Sequence, residues 1–181
     1  MLDLFKRKLF KIIFWSFVFI ALPFTILMFI GSQRYVYHAT VKINSPAEII
    51  FPYLHTPDKV VVWQNGVKSL SLGNNQFNRS GDTATLVLDG QEKEHRITIT
   101  IDKIVPDRHL ITSSATEVFK AQTIWDLETF ADHCIVNQEV IYFYGGVGRL
   151  IAPFLTGEAE RQLQDDLSRL RQIIEKEHTG R

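Results

Sequence analysis

Apolar and polar residues are unevenly spread along the chain, and the longest apolar stretch lies near the N-terminus. Residues 12–33 carry no charged side chain, and residues 12–30 are almost entirely aliphatic or aromatic. At about 1.5 Å of rise per residue, a helix of this length crosses the roughly 30 Å hydrocarbon core of a bilayer. The pattern predicts a transmembrane helix that is kinked at Pro23, because proline removes one backbone donor.

The charges that flank this segment predict its orientation. Lys6, Arg7, Lys8 and Lys11 precede it, whereas Arg34 follows it directly. Since positive residues are retained on the cytoplasmic side, we expect the N-terminus in the cytoplasm and the rest of the chain across the membrane. In a Gram-negative bacterium, that side would be the periplasm.

A cleaved signal peptide is the alternative for the same segment, because it too begins with a basic leader. The apolar run is longer than the roughly 7 to 15 residues of a signal peptide. In addition, Ile30 stands two positions before Ser32, where cleavage would need a small residue. We therefore interpret residues 1–33 as a retained leader and anchor, and residues 34–181 as one soluble domain.

Beyond the anchor, apolar and polar positions alternate with a period of two, which is typical of half-buried strands. Residues 34–43 show the alternation clearly, and their odd-numbered positions form the more apolar face. Six more strands are predicted at residues 70–72, 84–88, 95–101, 109–116, 119–129 and 134–144. Turn residues at 73–75, 89–90 and 106–107 leave short links, so we expect a mostly antiparallel sheet.

Helical signals occur at both ends of this strand-rich region. Ser45, followed by a proline, offers an N-cap and predicts a short helix that ends near Leu54. Thr56 repeats the signal for a second short helix, which ends near Trp63. After residue 148 the chain is helical, and an apolar stripe predicts a long helix packed across the sheet. The stripe consists of Leu163, Leu167, Leu170 and Ile174.

The order of these elements and several stretches of sequence resemble a known superfamily. One strand, two short helices, six antiparallel strands and a long helix is the order of the helix-grip fold. The opening strand and helix start are matched by residues 37–48 (YHATVKINSPAE), the helix pair by residues 51–54 (FPYL) with Asp58 and Trp63, and the closing helix by residues 163–175. In these residues the chain is similar to the START-like, or SRPBCC, superfamily of polyketide cyclases and lipid-transport proteins.

The resemblance extends over residues 35–177 and implies an α+β helix-grip fold, in which a seven-stranded, mostly antiparallel sheet wraps around the C-terminal helix. Members of the superfamily hold an apolar ligand between the sheet and the helix. A minority act as cyclases, dehydratases or hydrolase activators. The matching motifs are structural, so the resemblance implies a binding fold and specifies no reaction.

Composition argues against several other classes of function. Lys plus Arg equals Asp plus Glu at 20 each, so no basic surplus favours nucleic-acid binding. The lone Cys134 permits no intrachain disulfide, and the six histidines form neither an HxH nor an HExxH pair, so no metal or cofactor is indicated. The glycine-rich residues 145–148 lack the spacing of a phosphate-binding loop, and we interpret them as a hinge.

The cavity expected between the sheet and the helix would be lined by inward-facing side chains of several elements. His95 shares a strand face with three isoleucines and is a candidate for binding a ligand head group, with a solvated position at the strand end as the alternative. Trp125 is a candidate cavity wall or an ordinary core residue. The predicted lining comprises Trp63, Leu86, His95, Ile97, Ile99, Phe119, Thr123, Trp125, Glu139, Phe154, Leu163 and Leu167.

The strand at residues 134–144 leaves two registers open. Either its odd-numbered residues, which include Glu139, or its even-numbered residues face the interior. A slip of one residue exchanges the two faces. In the first register, Glu139 would be a carboxylate in an apolar cavity, and a raised pKa would suit it to act as a general base.

The favoured function is binding of a lipid or another hydrophobic small molecule by a membrane-anchored protein. Two alternatives stay open at this point. One is a membrane-bound cyclase or dehydratase that uses Glu139 or His95, and the other is an interaction module with a filled core. The expected partners are the bilayer and the hydrophobic ligand, without nucleic acid, and the sequence indicates no particular protein partner.

Overall fold

A computed structural model of the chain describes residues 2–73, 76–89 and 94–179. Its helices are α1 (Leu2–Ile30), α2 (Ala47–Ile50), α3 (Pro57–Trp63) and α4 (Gly148–Thr179), and a 3-10 turn covers Phe51–Leu54. Its strands are β1 (Arg34–Ile43), β2 (Val67–Leu72), β3 (Thr83–Leu88), β4 (His95–Val105), β5 (His109–Ala115), β6 (Phe119–Thr129) and β7 (Cys134–Tyr144). The predicted class and order of elements are confirmed, and the predicted turns at 73–75 and 89–90 lie partly outside the described residues.

The strands form one seven-stranded antiparallel sheet in the order β1-β7-β6-β5-β4-β3-β2. From β2 to β7, each strand pairs with the next one along the chain, as short links require. The exception is β1, which pairs with β7. Helix α1 ends just before β1 and α4 begins just after β7, so this pairing brings the two helix ends together.

The pairing of β7 with both its neighbours decides which of its faces points inward. Gln138 lies opposite Ala39 on β1 and Trp125 on β6. Both of those residues are buried in the core. The even-numbered residues of β7 therefore form the inner face. Glu139 lies on the outer face, and the register that would place it in the interior is wrong.

The buried core fills one end of the space between the sheet and the helices. Trp63 on α3 packs edge-to-face on Trp125 of β6, with 5.8 Å between the ring centroids. The indole Nε1 of Trp63 donates to the backbone oxygen of Tyr53 at 2.9 Å. The other large side chains that are fully buried include Ile43, Ile50, Ile101, Leu110, Leu167, Leu170 and Ile174. We call this part of the interior the closed end.

Helix α4 packs mainly along β1, and its last turns reach the segment between β1 and α3. The predicted stripe is confirmed, since its members are buried or half-buried: Leu163, Leu167, Leu170 and Ile174. The hydroxyl of Tyr53 donates to Glu177 at 2.7 Å, and the backbone N–H of Asn44 donates to Glu175 at 3.0 Å. Burial, followed by the bond to Glu177, raises the pKa of Tyr53 to about 12, so its hydroxyl keeps the proton that it donates.

The prediction that Ser45 caps the first short helix is wrong. Helix α2 begins at Ala47, with Pro46 as its N-cap residue and no capping hydrogen bond from a side chain. Ser45 lies in the turn after β1, where its backbone N–H donates to the oxygen of Ile43 at 2.9 Å. Its hydroxyl is buried and has no hydrogen-bond partner among the described residues. The extended backbone of the proline, with φ of −70° and ψ of 154°, leads into the helix instead.

Helix α1 contains the predicted apolar segment. Residues Phe10–Ile30 have a mean hydropathy of 2.4, and the most apolar window among them is not buried against the rest of the chain. By length and composition this helix is able to cross a membrane. Its end is packed tightly on α4, because a Cβ at Gly31 would overlap the backbone oxygen of Arg149. Tyr35 also donates a hydrogen bond to the backbone oxygen of Ile30 at 3.2 Å.

We predict that Gly31→Ala pushes the start of α4 away from the end of α1. The added methyl group would meet backbone atoms of Arg149, which cannot rotate aside. Overpacking of this kind costs about 1–3 kcal/mol. Thermal unfolding of the full chain in detergent, followed by near-ultraviolet circular dichroism, should show a lower midpoint for the variant.

Gly157→Ala on α4 is the matched control, because nothing lies within 4 Å of a Cβ at that position. Alanine is more favourable than glycine inside a helix by up to about 1 kcal/mol. The control should therefore be as stable as the parent or more stable. Equal midpoints for Gly31→Ala and the parent would show that the two helices do not touch at this point.

Candidate functional site

The inner face of the sheet is only partly covered. Ile101 and Leu110, at the closed end, are fully buried. Toward the end of the sheet where β6 starts and β7 finishes, inner side chains of the middle strands are only half-buried: Leu86, Ile97, Ile99, Thr112, Ser114, Phe119 and Thr123. Helix α4 lies over β1 and leaves these strands less covered. We call this part of the inner face the open end.

Four tyrosines and one phenylalanine meet at the open end and form the aromatic cluster: Tyr35, Tyr37, Phe119, Tyr142 and Tyr144. The ring centroids of Tyr35 and Tyr144 are 5.6 Å apart, those of Tyr37 and Tyr142 are 5.8 Å apart, and those of Phe119 and Tyr142 are 5.5 Å apart. Burial, and then the neighbouring phenol of Tyr37, raises the pKa of Tyr35, Tyr142 and Tyr144. These hydroxyls are therefore neutral near pH 7 and can donate hydrogen bonds.

Two inner polar groups are buried without a hydrogen-bond partner of good geometry among the described residues. They are Oε1 of Gln138, whose residue is 6% exposed, and the hydroxyl of Tyr37, whose residue is 1% exposed. Gln138 lies in a row with Ala39 and Trp125, where the closed end meets the open end. An unpaired buried polar group costs about 1–3 kcal/mol, so native proteins keep few of them.

Most of the residues predicted to line a cavity lie on the inner side of the sheet or in the core. At the closed end or its edge are Trp63, Trp125, Leu163 and Leu167. On the inner face of the open end are Leu86, Ile97, Ile99, Phe119 and Thr123. Trp63 and Trp125 pack on each other, so Trp125 is a core residue more than a cavity wall.

Three predicted lining residues are not enclosed in the interior. Glu139 lies on the outer face with about a third of its side chain exposed, at 3.6 Å from Arg34 and 3.5 Å from His38. His95 is the first residue of β4 and is exposed, which agrees with the solvated alternative. Phe154 on α4 is 73% exposed. Neither Glu139 nor His95 is thus placed to act as an acid or a base in an apolar cavity.

Sequence reasoning missed Gln138 and the two tyrosines of β7. One signal was available in the composition of the two faces of that strand. The odd-numbered face contains Asn137 and Glu139, whereas the even-numbered face contains Gln138 as its only amide or charged side chain. Since the inner face is the less polar one, this comparison favours the register that the structure adopts.

The outer surface of the domain carries clefts that are more polar than the inner face of the sheet. One of about 890 Å³ is lined by charged residues of both signs, among them Lys103, Arg108, Asp126 and Glu128. Another of about 530 Å³ lies on the outer face of β4 to β6. Among the described residues, no group of three or more His, Cys, Asp or Glu side chains is arranged to hold a metal ion.

Comparison with solved structures identifies proteins of similar fold. TTHA0849 from Thermus thermophilus is 14% identical, with a TM-score of 0.60 over 77% of this chain and 96% of its own. Ara h 8.0201 is 12% identical, with a TM-score of 0.61 over 78% of this chain and 98% of its own. The di-domain ARO/CYC StfQ, from the steffimycin biosynthetic pathway, is 10% identical with a TM-score of 0.66 over 84% of this chain. The chain spans only 54% of StfQ.

At these identities the likeness shows the fold alone, and that fold is the predicted α+β helix-grip architecture. No protein-family model matches the chain, and no curated protein matches its sequence. Function has therefore to be argued from the geometry of the site.

We predict that Gln138→Leu stabilises the protein in the absence of any ligand. Leucine removes a buried carbonyl oxygen that has no partner among the described residues and leaves an apolar side chain of similar size. The midpoint of thermal unfolding should rise, by the equivalent of about 1 kcal/mol. Circular dichroism of the full chain in detergent measures it.

The same substitution at Gln122 is the control, because Gln122 lies on the outer face and donates to Asp102 at 3.2 Å. Gln122→Leu breaks that bond and should give no gain in stability. A gain of equal size at both positions would mean that the effect comes from leucine in a strand and not from the interior.

Proposed function

We propose that the chain is a membrane-anchored protein that binds a lipid or another hydrophobic small molecule on the inner face of its sheet, beside α4. The observation that supports this most is the open end, where apolar and small hydroxyl side chains remain half-buried. Beside them lie two buried polar atoms that have no hydrogen-bond partner of good geometry among the described residues. A domain whose interior only had to be filled would cover such a surface, since exposing it loses hydrophobic stabilisation.

The side chains at the open end indicate the chemistry of the ligand. Leu86, Ile97 and Ile99 offer apolar contact to a hydrocarbon portion. Gln138 and the neutral phenols offer hydrogen bonds to a hydroxyl, carbonyl or ester group. No formally charged side chain lies on the inner face among the described strand residues, so an uncharged polar group is favoured over a phosphate or an ammonium at this point.

Membrane anchoring is supported by α1, whose apolar window is long enough to span a bilayer and is not covered by the domain. The excess of positive charge before α1 favours a cytoplasmic N-terminus, with the domain on the other side of the membrane. Held in this way, the domain is suited to receiving its ligand from lipid and not from bulk water.

Binding is favoured over catalysis because of what faces the open end. StfQ is described as an ARO/CYC protein, and a cyclase of that kind would need acid and base groups near its substrate. In this chain Glu139 is on the outer face and His95 is exposed at the start of β4. The phenols of Tyr35, Tyr142 and Tyr144 have raised pKa values, so they stay protonated near pH 7 and are poor general bases there.

The proposal predicts that one lipid species co-purifies with the full chain and that Gln138→Leu reduces its amount severalfold. The substitution removes a polar partner for the ligand and keeps the apolar contacts. Purification in a lipid-free detergent, extraction and mass spectrometry would be run on the parent and on the variant. The amount of lipid that merely surrounds α1 should be the same in the parent and the variant, because α1 is identical in both.

Gln122→Leu and Glu139→Gln serve as controls, since both alter only the outer face. Each should retain the parent's amount of the enriched species. If no species is enriched in the parent, or if the species is equally abundant in all four proteins, the proposed binding site is wrong.

A further inference from the structure

Exposed large apolar side chains of the domain are concentrated in one place. Outside α1, the described residues of this kind are Val62, Val105, Val118, Phe130, Phe143, Val147, Ile151 and Phe154. Val62, Val105 and Phe130 are scattered over separate elements. The other five belong to the segments that meet at the end of α1, and we call these five residues the apolar rim.

Three members of the apolar rim form a stripe that begins directly before α4 and continues along its first turns. Val147, Ile151 and Phe154 follow each other at steps of four and three, and they are 71%, 54% and 73% exposed. The next position on the same side of the helix is Glu158, and beyond it α4 is polar on its exposed faces. At about 1.5 Å per residue, the stripe is roughly 10 Å long before charge begins.

The apolar rim is held in a defined position relative to α1. Gly31, just after α1, contacts the backbone of Arg149 so closely that a Cβ would not fit. A Cβ at Gly148 would overlap the backbone oxygen of Val118. Arg149 also donates from Nε to the oxygen of Tyr144 at 3.3 Å. These contacts join the end of α1, the start of α4 and the 116–119 turn into one unit.

We propose that the apolar rim inserts into the surface of the same bilayer that α1 crosses, so that the domain contacts the membrane through two elements and not only through its tether. This inference rests on the proposed membrane anchoring. Lipid is the expected partner of this surface because the apolar surface of α1 continues directly into the apolar rim at Gly31. Amphipathic helices bury their apolar face roughly 5–10 Å deep at a membrane interface, and the stripe offers a short apolar face of this kind.

Such insertion would also set the position of the open end. The aromatic cluster lies beside the apolar rim, and Tyr144 is only three residues before Val147. Tyrosines favour the depth of the lipid head groups, where an apolar ring and a polar hydroxyl are both satisfied. The open end would then face the interface, with the closed end directed away from the membrane.

Depth-dependent quenching on the full chain in phosphatidylcholine vesicles tests the inference. Single cysteines at positions 19, 62, 151 and 154, in a Cys134→Ala background, would carry an environment-sensitive fluorophore. Phosphatidylcholine with a doxyl group near the head of its acyl chain is the quencher for labels at the membrane surface, and the same lipid with the doxyl group near the end of the chain is the quencher for position 19, which lies near the middle of the Phe10–Ile30 span. Labels at Ile151 and Phe154 should be quenched severalfold more than the label at Val62, which is a matched control because Val62 is helical and 50% exposed.

The label at Phe19, in the middle of α1, distinguishes the two proposals. If Phe19 is quenched and positions 151 and 154 are not, the inference is wrong and the anchor stands. If none is quenched, membrane anchoring itself is wrong. Quenching at position 62 as strong as at positions 151 and 154 would also overturn the inference. So would labels at 151 and 154 whose emission changes with the protein-to-lipid ratio but not with the quencher. That last result would assign the surface to contact with a second copy of the chain.

Discussion

The antiparallel pairing of β1 with β7 is the contact on which the rest of the arrangement depends. It places the strand that follows α1 beside the strand that precedes α4, and so brings Gly31 against Arg149. It also selects the inner face of β7. A shift of one residue would put Glu139 next to Trp125 in place of Gln138 and would turn the β7 tyrosines to the outside.

The elements of the fold could be predicted from the sequence because their signals are local. An alternation of two or a stripe at steps of three and four is visible within ten residues, and each predicted strand and helix is present. The predicted positions of strand ends were less accurate where the alternation of apolar and polar residues breaks. β4 was expected to end at residue 101, but it continues to Val105 through a register shift between Ile101 and Lys103, which interrupts the alternating pattern.

The site could be predicted only in part, because its composition depends on contacts between distant segments. On strands with one clearly apolar face, residues such as Ile97 and Ile99 lie on the inner face, as the alternation predicts, although their role as a cavity lining stays a prediction. The register of β7 was open, since both of its faces mix polar and apolar residues. Phe154 is an error that the sequence itself could have prevented. It lies nine residues before Leu163, which at about 100° per residue is half a turn around the helix, so the two cannot face the same groove.

The position of the open end matters because of how a hydrophobic ligand would reach it. Moving a lipid through water exposes its hydrocarbon at a cost of about 0.8 kcal/mol per methylene group, which for a long acyl chain makes that route very slow. Residues 31–33 span at most about 10 Å, so under the proposed anchoring a domain tethered by α1 would stay close to its own bilayer. The half-buried isoleucines and the aromatic cluster lie toward the tether, whereas the tightly packed tryptophans lie toward the opposite end. Under the proposed membrane anchoring, this arrangement of the interior would favour exchange of the ligand with the adjacent leaflet over its collection from solution.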